Sequence, residues 1–284
     1  MKLIHPMGLA RHAAFGAGLL LAGAAAPSWC ADLPLWEAGI GLAGISSPSY
    51  RGADDSRVYA LPVPYVIYRG KFLKADQDGV RGIFFETEQV KVNTSLTASL
   101  PVSGDDYAPR RGMPDLKPTV EVGPSLDLRL WRSEDRRRQL DLRLPLRLGV
   151  TVEGSPQTLG WVFSPRLNLD LEEPLGLRGW SLGLLAGPLF ASGRYHDYFY
   201  SVDPAYAVPG RPAYDAGGGY AGLQLIAAVS KRFPRHWVGA FVRYDTLEGA
   251  VFQDSPLVQS DHYLAFGLGV AWVLGESTSR VPDD

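Results

Sequence analysis

The chain has 284 residues, and its 28 Lys and Arg against 30 Asp and Glu give a formal net charge of −2. This balance excludes the concentrated positive charge on which nucleic-acid binding depends. Hydrophobic residues make up 46% of the chain, which excludes an intrinsically disordered protein.

The first thirty residues have the form of a secretory signal peptide. Lys2 and Arg11 supply a positive segment, and an uncharged apolar run follows at 13–26. We predict cleavage near Cys30 or Ala31, so that residues 1–30 are removed on export. A lipoprotein anchored through Cys30 is the alternative, although the residues just before that cysteine fit a lipid-attachment site badly.

Most of the remaining chain alternates apolar and polar residues with a period of two, which is typical of β-strands. From 139 to 152 every even position is leucine or valine, while the odd positions include Asp141, Arg143 and Arg147. These segments are long enough for a tilted strand to cross a bilayer, and no apolar run of about twenty residues after residue 30 supports a membrane helix. We therefore predict an all-β transmembrane barrel, with a secreted β-sandwich as the alternative.

Turn-forming residues divide the chain after the signal peptide into twelve predicted strands. They lie near 35–46, 57–69, 71–77, 80–87, 89–101, 117–132, 137–153, 157–171, 178–200, 217–232, 236–249 and 259–274. Because backbone groups in lipid must all be paired, we expect a closed antiparallel barrel over 31–274, followed by a polar tail at 275–284. An even strand number predicts short periplasmic turns, such as 134–136, and longer extracellular loops at 102–116 and 201–216.

Aromatic residues near the predicted strand ends fit the interfacial girdles of outer-membrane barrels, with ordinary core aromatics as the alternative. They are Trp36, Tyr65, Tyr68, Trp131, Trp161, Trp180, Tyr198, Tyr200, Trp237, Tyr244, Tyr263 and Trp272. Several prolines also fall within the predicted strands, where they cannot donate to a ladder, so we expect bulges or strand segments outside the bilayer there. They are Pro62, Pro64, Pro124, Pro145, Pro165 and Pro188.

The predicted inward face carries charges of both signs. The set consists of Glu121, Asp127 and Arg129 on one strand, Asp141, Arg143 and Arg147 on the next, and Arg166 and Asp170 beyond them. Opposite charges on neighbouring strands are expected to pair across the lumen. A paired and neutral lumen favours structural ion pairs over a permeation path, which stays open as the alternative.

No catalytic, cofactor or metal site emerges from the sequence. The nearest approach to a catalytic group is the set Asp254, Ser255, Ser260 and His262. No nucleophile-elbow pattern surrounds either serine, and loops are rich in serine and aspartate because these residues form turns. His196 and Asp197 are neighbours on a predicted strand and would point to opposite faces, so we expect a solvated or girdle position instead of a metal site. We predict a protein that is not an enzyme.

Motifs at both ends of the predicted barrel carry a family resemblance. The N-terminal motifs are WEAGIG at 36–41, SPSYRGAD at 47–54, LPVPY at 61–65 and YRG at 68–70, and the C-terminal ones lie at 220–233, 237–244 and 254–258. Together they resemble the MipA/OmpV family of outer-membrane proteins, which are MltA-interacting protein-like. One departure is Leu274, which stands where barrels of this kind usually end on an aromatic residue.

The resemblance implies a barrel in the Gram-negative outer membrane and, as in the founding member, a scaffold that holds a murein lytic transglycosylase and a murein synthase together at the cell wall. A passive channel for small solutes and a surface adhesin are the alternatives, because one fold serves several functions. The adhesin hypothesis depends on loop residues Asp105, Asp106, Tyr107, Arg110, Arg111, Tyr206, Arg211 and Tyr214. None of the shared motifs supplies a residue of known catalytic or binding role.

Overall fold

The computed structural model describes residues 33–70, 72–76, 79–99, 101–105 and 107–281. The predicted signal peptide lies outside the described residues. Within them, no helix has the length and apolar character that crossing a membrane requires.

The described chain is built almost entirely of antiparallel strands. They are β1 (Leu33–Pro34), β2 (Trp36–Ser47), β3 (Arg57–Arg69), β4 (Leu73–Asp76), β5 (Gly79–Glu86), β6 (Val90–Ser99), β7 (Thr119–Arg132), β8 (Arg138–Thr151), β9 (Thr158–Phe163), β10 (Arg166–Glu172), β11 (Trp180–Ala191), β12 (Gly219–Arg232), β13 (His236–Thr246), β14 (His262–Glu276) and β15 (Arg280–Val281). One α-helix, α1 (Gly193–Tyr200), and three short 3₁₀ turns complete the described elements.

Each strand from β2 to β14 pairs with its neighbours in chain order, and β14 also pairs with β2. β9 and β10 lie end to end between β8 and β11, so they form one interrupted strand. Counted in this way, the sheet has the twelve strands that the sequence predicted. The short strands β1 and β15 pair with each other, which places Leu33 opposite Val281.

The two faces of the sheet reverse the usual arrangement of a soluble protein. On β8, Leu146 and Leu148 are 47% and 46% exposed. Arg147 lies between them and is 5% exposed, and Asp141, earlier on the same strand, is 7% exposed. The polar residues therefore pack inside and the aliphatic residues face outward, as the predicted alternation requires.

Two of the prolines that fall within predicted strands lie where the hydrogen-bond ladder is irregular. Pro188 adjoins a register shift between β11 and β12, and Pro165 occupies the break between β9 and β10. A proline has no N–H to donate, so an irregular place in the ladder accommodates it. The expected bulge at Pro188 is confirmed.

The predicted strand at 178–200 is wrong beyond Ala191, because Gly193–Tyr200 forms helix α1. The aromatic residues of this segment have high strand propensity, which favoured the wrong interpretation. A helix of eight residues is stable only through tertiary packing, and here His196 and Tyr200, four residues apart, are both buried.

The girdle prediction requires outward-facing aromatics, and Trp36, Trp131, Trp161, Tyr244 and Trp272 are between 37% and 48% exposed. It is wrong for the aromatics that point inward or lie in loops. Tyr65 and Tyr263 hydrogen-bond to Glu37 and Asp245, Trp237 lines an interior cavity, and Tyr198 and Tyr200 belong to α1.

Candidate functional site

The long connections at one end of the sheet fold together into a cap with its own hydrophobic core. We call this the loop end; it carries the connections 48–56, 101–118, 192–218 and 247–261. The buried cluster consists of Tyr50, Ala53, Val102, Tyr107, Leu116, Tyr200, Val202, Ala216, Ala221, Leu247, Ala250, Phe252 and Leu257. Because all four connections contribute to this core, they form one packed unit.

Aromatic stacking holds α1 at the centre of the cap. The Tyr200 ring lies parallel to Phe252 with centroids 3.7 Å apart, and His196 contacts the same phenyl ring edge-on at 4.6 Å. Burial raises the pKa of Tyr200 to about 12 and lowers the pKa of His196. Nδ1 of His196 lies 2.7 Å from the Gly217 carbonyl oxygen, so the imidazole is a packed structural group, and the expectation of a solvated or girdle position is wrong.

Several loop residues considered for surface attachment are used inside the cap. Tyr107, Arg110 and Arg211 are only 4%, 3% and 8% exposed. Arg110 donates to the Phe199 and Pro114 carbonyl oxygens at 3.0 and 3.2 Å, and Arg211 donates to backbone carbonyls of both long loops. These guanidinium groups therefore join loops to one another. Asp106 lies outside the described residues.

A fully buried carboxylate ties the cap to the wall. Asp245 of β13, with 0% side-chain exposure, accepts hydrogen bonds from Arg51 in a cap loop at 2.7 Å, from Arg243 at 2.7 Å and from Tyr263 at 2.9 Å. Two guanidinium groups thus share one carboxylate. Sequence reasoning missed this group because Arg51 and Asp245 are far apart in the chain.

The predicted luminal ion pairs form between neighbouring strands. Arg147 Nε lies 3.0 Å from Glu121 Oε2, and both side chains are at most 10% exposed. Looser pairs join Arg129 to Asp141 at 3.9 Å and Arg143 to Asp170 at 3.8 Å. Asp127 instead accepts hydrogen bonds from Asn93 and Ser125.

The opposite end of the sheet, which we call the turn end, exposes a hydrophobic residue on a strained turn. Leu175 is 100% exposed, and both Leu175 and Glu173 have positive φ values of 55° and 51°. Positive φ is unfavourable for residues other than glycine, so the rest of the turn has to hold this conformation. The exposed Arg178 lies on the same turn as Leu175, and the exposed Arg136 lies on the adjacent turn between β7 and β8.

The two serines considered as catalytic candidates use their hydroxyl groups for hydrogen bonds to the backbone. The Ser255 hydroxyl donates to the Tyr200 carbonyl oxygen at 2.6 Å, and the Ser260 hydroxyl donates to the backbone carbonyl of His262 at 2.6 Å. Ser255 is buried, whereas Asp254 and His262 are exposed. Both hydroxyl groups thus serve the backbone of the cap loops.

Comparison with known proteins gives matches that span most of the chain. The profile of the family described as "MltA-interacting protein MipA" matches residues 40–274. The chain is 24% identical over 211 residues to the outer membrane protein Omp26La of Vibrio anguillarum, covering 72% of this chain and 75% of that protein.

Solved structures give only loose likenesses. A bacterial polysaccharide outer membrane secretin has a TM-score of 0.41 and 10% identity, with 86% of this chain and 100% of that chain covered. The CymD monoaromatic hydrocarbon channel has a TM-score of 0.21 and 12% identity, with 87% and 68% covered. Neither likeness is close enough to support a conclusion.

Proposed function

The chain belongs to the MipA family and is an outer-membrane protein, and we propose that it is a closed transmembrane barrel that serves as a non-enzymatic scaffold for murein-remodelling enzymes. The partners in this proposal are a periplasmic lytic transglycosylase, which the family description implies, and a murein synthase.

The sheet pairing supports closure of the barrel. β14 pairs with β2 over ten residue pairs, and the interrupted strand β9–β10 joins β8 to β11. In lipid, an unpaired edge costs several kcal/mol for each exposed backbone group, which favours a sheet that returns on itself. The outward leucines of β8 then face lipid, and the ion pairs of β7 and β8 face the lumen.

The exposed turn end is the observation that carries the scaffold proposal. In the proposed orientation this end faces the periplasm, where murein enzymes work, and it presents Leu175 fully exposed between charged residues. An exposed apolar side chain beside charged groups of both signs, among them the Arg137–Glu173 ion pair, is suited to a partner surface with an apolar pocket and a charged rim. The signal peptide and the tail at 275–284 keep their predicted roles in this proposal.

The experiment is capture of murein enzymes from solubilised envelopes by the native barrel. We expect a lytic transglycosylase to be retained by the unaltered protein, and Leu175→Asp to lower the retained amount by roughly thirtyfold, since an interface hot spot contributes about 2 kcal/mol or more. Val208→Asp is the matched control, because Val208 is also exposed (51%) but lies at the loop end. A native barrel that retains no murein enzyme contradicts the scaffold function.

The channel and adhesin alternatives receive less support. The hydrophobic core of the cap lies across the loop end, which disfavours an open aqueous path along the axis. Several of the polar loop residues that an adhesin would display are buried within that cap.

A further inference from the structure

The outward face of the wall carries an apolar groove of about 380 Å³ over strands β8 to β13. Two alanines line it, Ala186 of β11 and Ala227 of β12. The other lining side chains are larger and apolar, and they include Leu140, Leu169, Leu184, Leu225, Val242 and Tyr244. In the proposed membrane placement this face contacts lipid, so the groove opens to hydrocarbon.

The pairing register explains why the surface is depressed at this place. Ala227 is opposite Leu184 on one side and Val242 on the other, and Ala186 is opposite Leu225 in the next row. An alanine bears a single methyl group, whereas its cross-strand neighbours here bear branched side chains. The two alanines therefore form a floor, and the bulkier side chains form its sides.

A cluster of cations lies on the same part of the wall at the turn end. Lys231 of β12 is opposite Trp180 of β11, and its ammonium nitrogen lies 5.6 Å from the Trp180 ring centroid and 5.3 Å from that of Phe233. The same nitrogen donates to the Arg178 carbonyl oxygen at 3.0 Å. Arg178 and Arg235 are exposed on the turns before β11 and after β12. We call Arg178, Lys231 and Arg235 the cationic cluster.

The acidic residues of the turn before β11 are engaged in other contacts. Glu173 Oε2 lies 2.9 Å from Arg137 Nη1, and Glu172 accepts a hydrogen bond from the Ser181 hydroxyl at 2.8 Å. The ammonium group of Lys231 has three N–H donors, and the backbone carbonyl takes one of them. The cationic cluster therefore presents positive charge and hydrogen-bond donors suited to a phosphate group.

The groove and the cationic cluster are spaced like the chain and the head of a lipid. Lys231 follows Ala227 by four residues on β12, so both share the outward face and lie about 13 Å apart along the strand. The hydrocarbon layer of one leaflet is about 15 Å thick. A phospholipid whose phosphate meets the cluster can therefore lay an acyl chain in the groove.

We propose that the groove and the cationic cluster together bind one phospholipid with a net negative head group from the membrane leaflet at the turn end. The phosphate accepts hydrogen bonds from the cluster, and one acyl chain lies over Ala186 and Ala227. A head group with its own ammonium partly neutralises its phosphate, so the cluster favours phosphatidylglycerol over a zwitterionic lipid. This inference rests on the proposed transmembrane placement and is independent of the scaffold function.

The test uses tryptophan quenching in full-length protein reconstituted into mixed vesicles of phosphatidylcholine and phosphatidylglycerol, with bromine atoms on the acyl chains of one lipid at a time. Trp180 reports on the site, and Trp36, which is 42% exposed on β2, reports on another part of the wall. Two variants each keep one of these tryptophans, with the others changed to phenylalanine. We expect phosphatidylglycerol to be preferred roughly tenfold at Trp180 and less than roughly twofold at Trp36.

Matched substitutions test the two ends of the site separately. One cation near an anionic surface contributes a preference of about fivefold, so Lys231→Gln should lower the preference at Trp180 by that factor. Arg111→Gln, at an exposed cation of the loop end, should leave it unchanged. Ala227→Phe fills the groove and should also lower the preference, whereas Ala60→Phe places the same ring on the exposed face of β3 and should not.

Native mass spectrometry of detergent-solubilised protein gives an independent measurement with every tryptophan intact. We expect one retained phosphatidylglycerol in the unaltered chain and in Arg111→Gln, and markedly less in Lys231→Gln. Equal quenching of Trp180 by the two brominated lipids overturns the anionic-lipid site, and a preference that survives Ala227→Phe overturns the groove as the place of the chain. Failure of both brominated lipids to quench either tryptophan contradicts the membrane placement itself, whereas the scaffold function is judged separately by enzyme capture.

Discussion

Replacing Asp245 with asparagine tests whether one buried carboxylate holds the cap against the wall. The carboxylate receives Arg51 from the cap and Arg243 and Tyr263 from the wall, all within 2.9 Å. Asp245→Asn keeps the shape of the side chain but leaves two guanidinium groups without their shared counter-charge.

The expected cost follows from the burial of the cluster. Removing one partner of a buried ion pair costs about 3–5 kcal/mol. Arg51 and Arg243 keep 18% and 30% of their side-chain exposure, so solvent screens part of the lost attraction. We therefore expect the lower end of that range, about 3 kcal/mol, which raises the open population of the cap roughly a hundredfold.

The assay measures opening of the cap through a buried thiol. Ala53 is 1% exposed in the cap core, so Ala53→Cys in a Cys30→Ser background introduces a single thiol that a maleimide reaches only when the cap opens. Asp254→Asn, at an exposed aspartate of the cap, is the control for loss of one negative charge. A labelling rate that rises less than roughly tenfold in Asp245→Asn, or equally in both variants, refutes the argument.

Three further predictions concern the cap and the lumen. Phe252→Ala removes the ring stacked on Tyr200 and is expected to destabilise the cap by about 3–5 kcal/mol in the same thiol assay, with the gel mobility shift of the barrel on heating unchanged. Because burial lowers the pKa of His196, the opened cap binds a proton more readily than the closed cap. Cap stability is therefore full above about pH 6.5 and falls as the pH drops below that value. A His196→Asn variant measured at each pH should lack this dependence. Arg147→Ala leaves the Glu121 carboxylate with the Tyr195 hydrogen bond but without its counter-charge, and should lower the free energy of unfolding in urea by about 3 kcal/mol, whereas adding Glu121→Gln should recover much of the loss.

The strands were predictable because their period and length are local properties of the sequence. Leu146 and Leu148 alternate with Arg147 regardless of what lies across the barrel, so the outward and inward faces could be assigned from residue type. The pairing of Glu121 with Arg147 followed from the same alternation on adjacent strands.

The cap was not predictable, because its contacts join distant segments. Tyr50 donates a hydrogen bond to the Leu257 carbonyl oxygen, 207 positions away, and no spacing in the sequence announces this contact. Helix α1 was missed for the same reason, since its eight residues are held by Phe252 and by the loops around it. The register of β3 with β2 is uninterrupted at Pro62 and Pro64, so the bulges expected there do not form in this pairing.

The most direct test of the membrane barrel is collision accessibility of spin labels placed one at a time from 146 to 151 in vesicle-reconstituted protein. We expect a period of two, with labels at Leu146, Leu148 and Val150 reached by oxygen dissolved in the lipid and labels at the positions between them shielded from it. Access of a water-soluble nickel reagent to the even positions, or loss of the alternation, would contradict a barrel that turns these leucines and valines toward lipid.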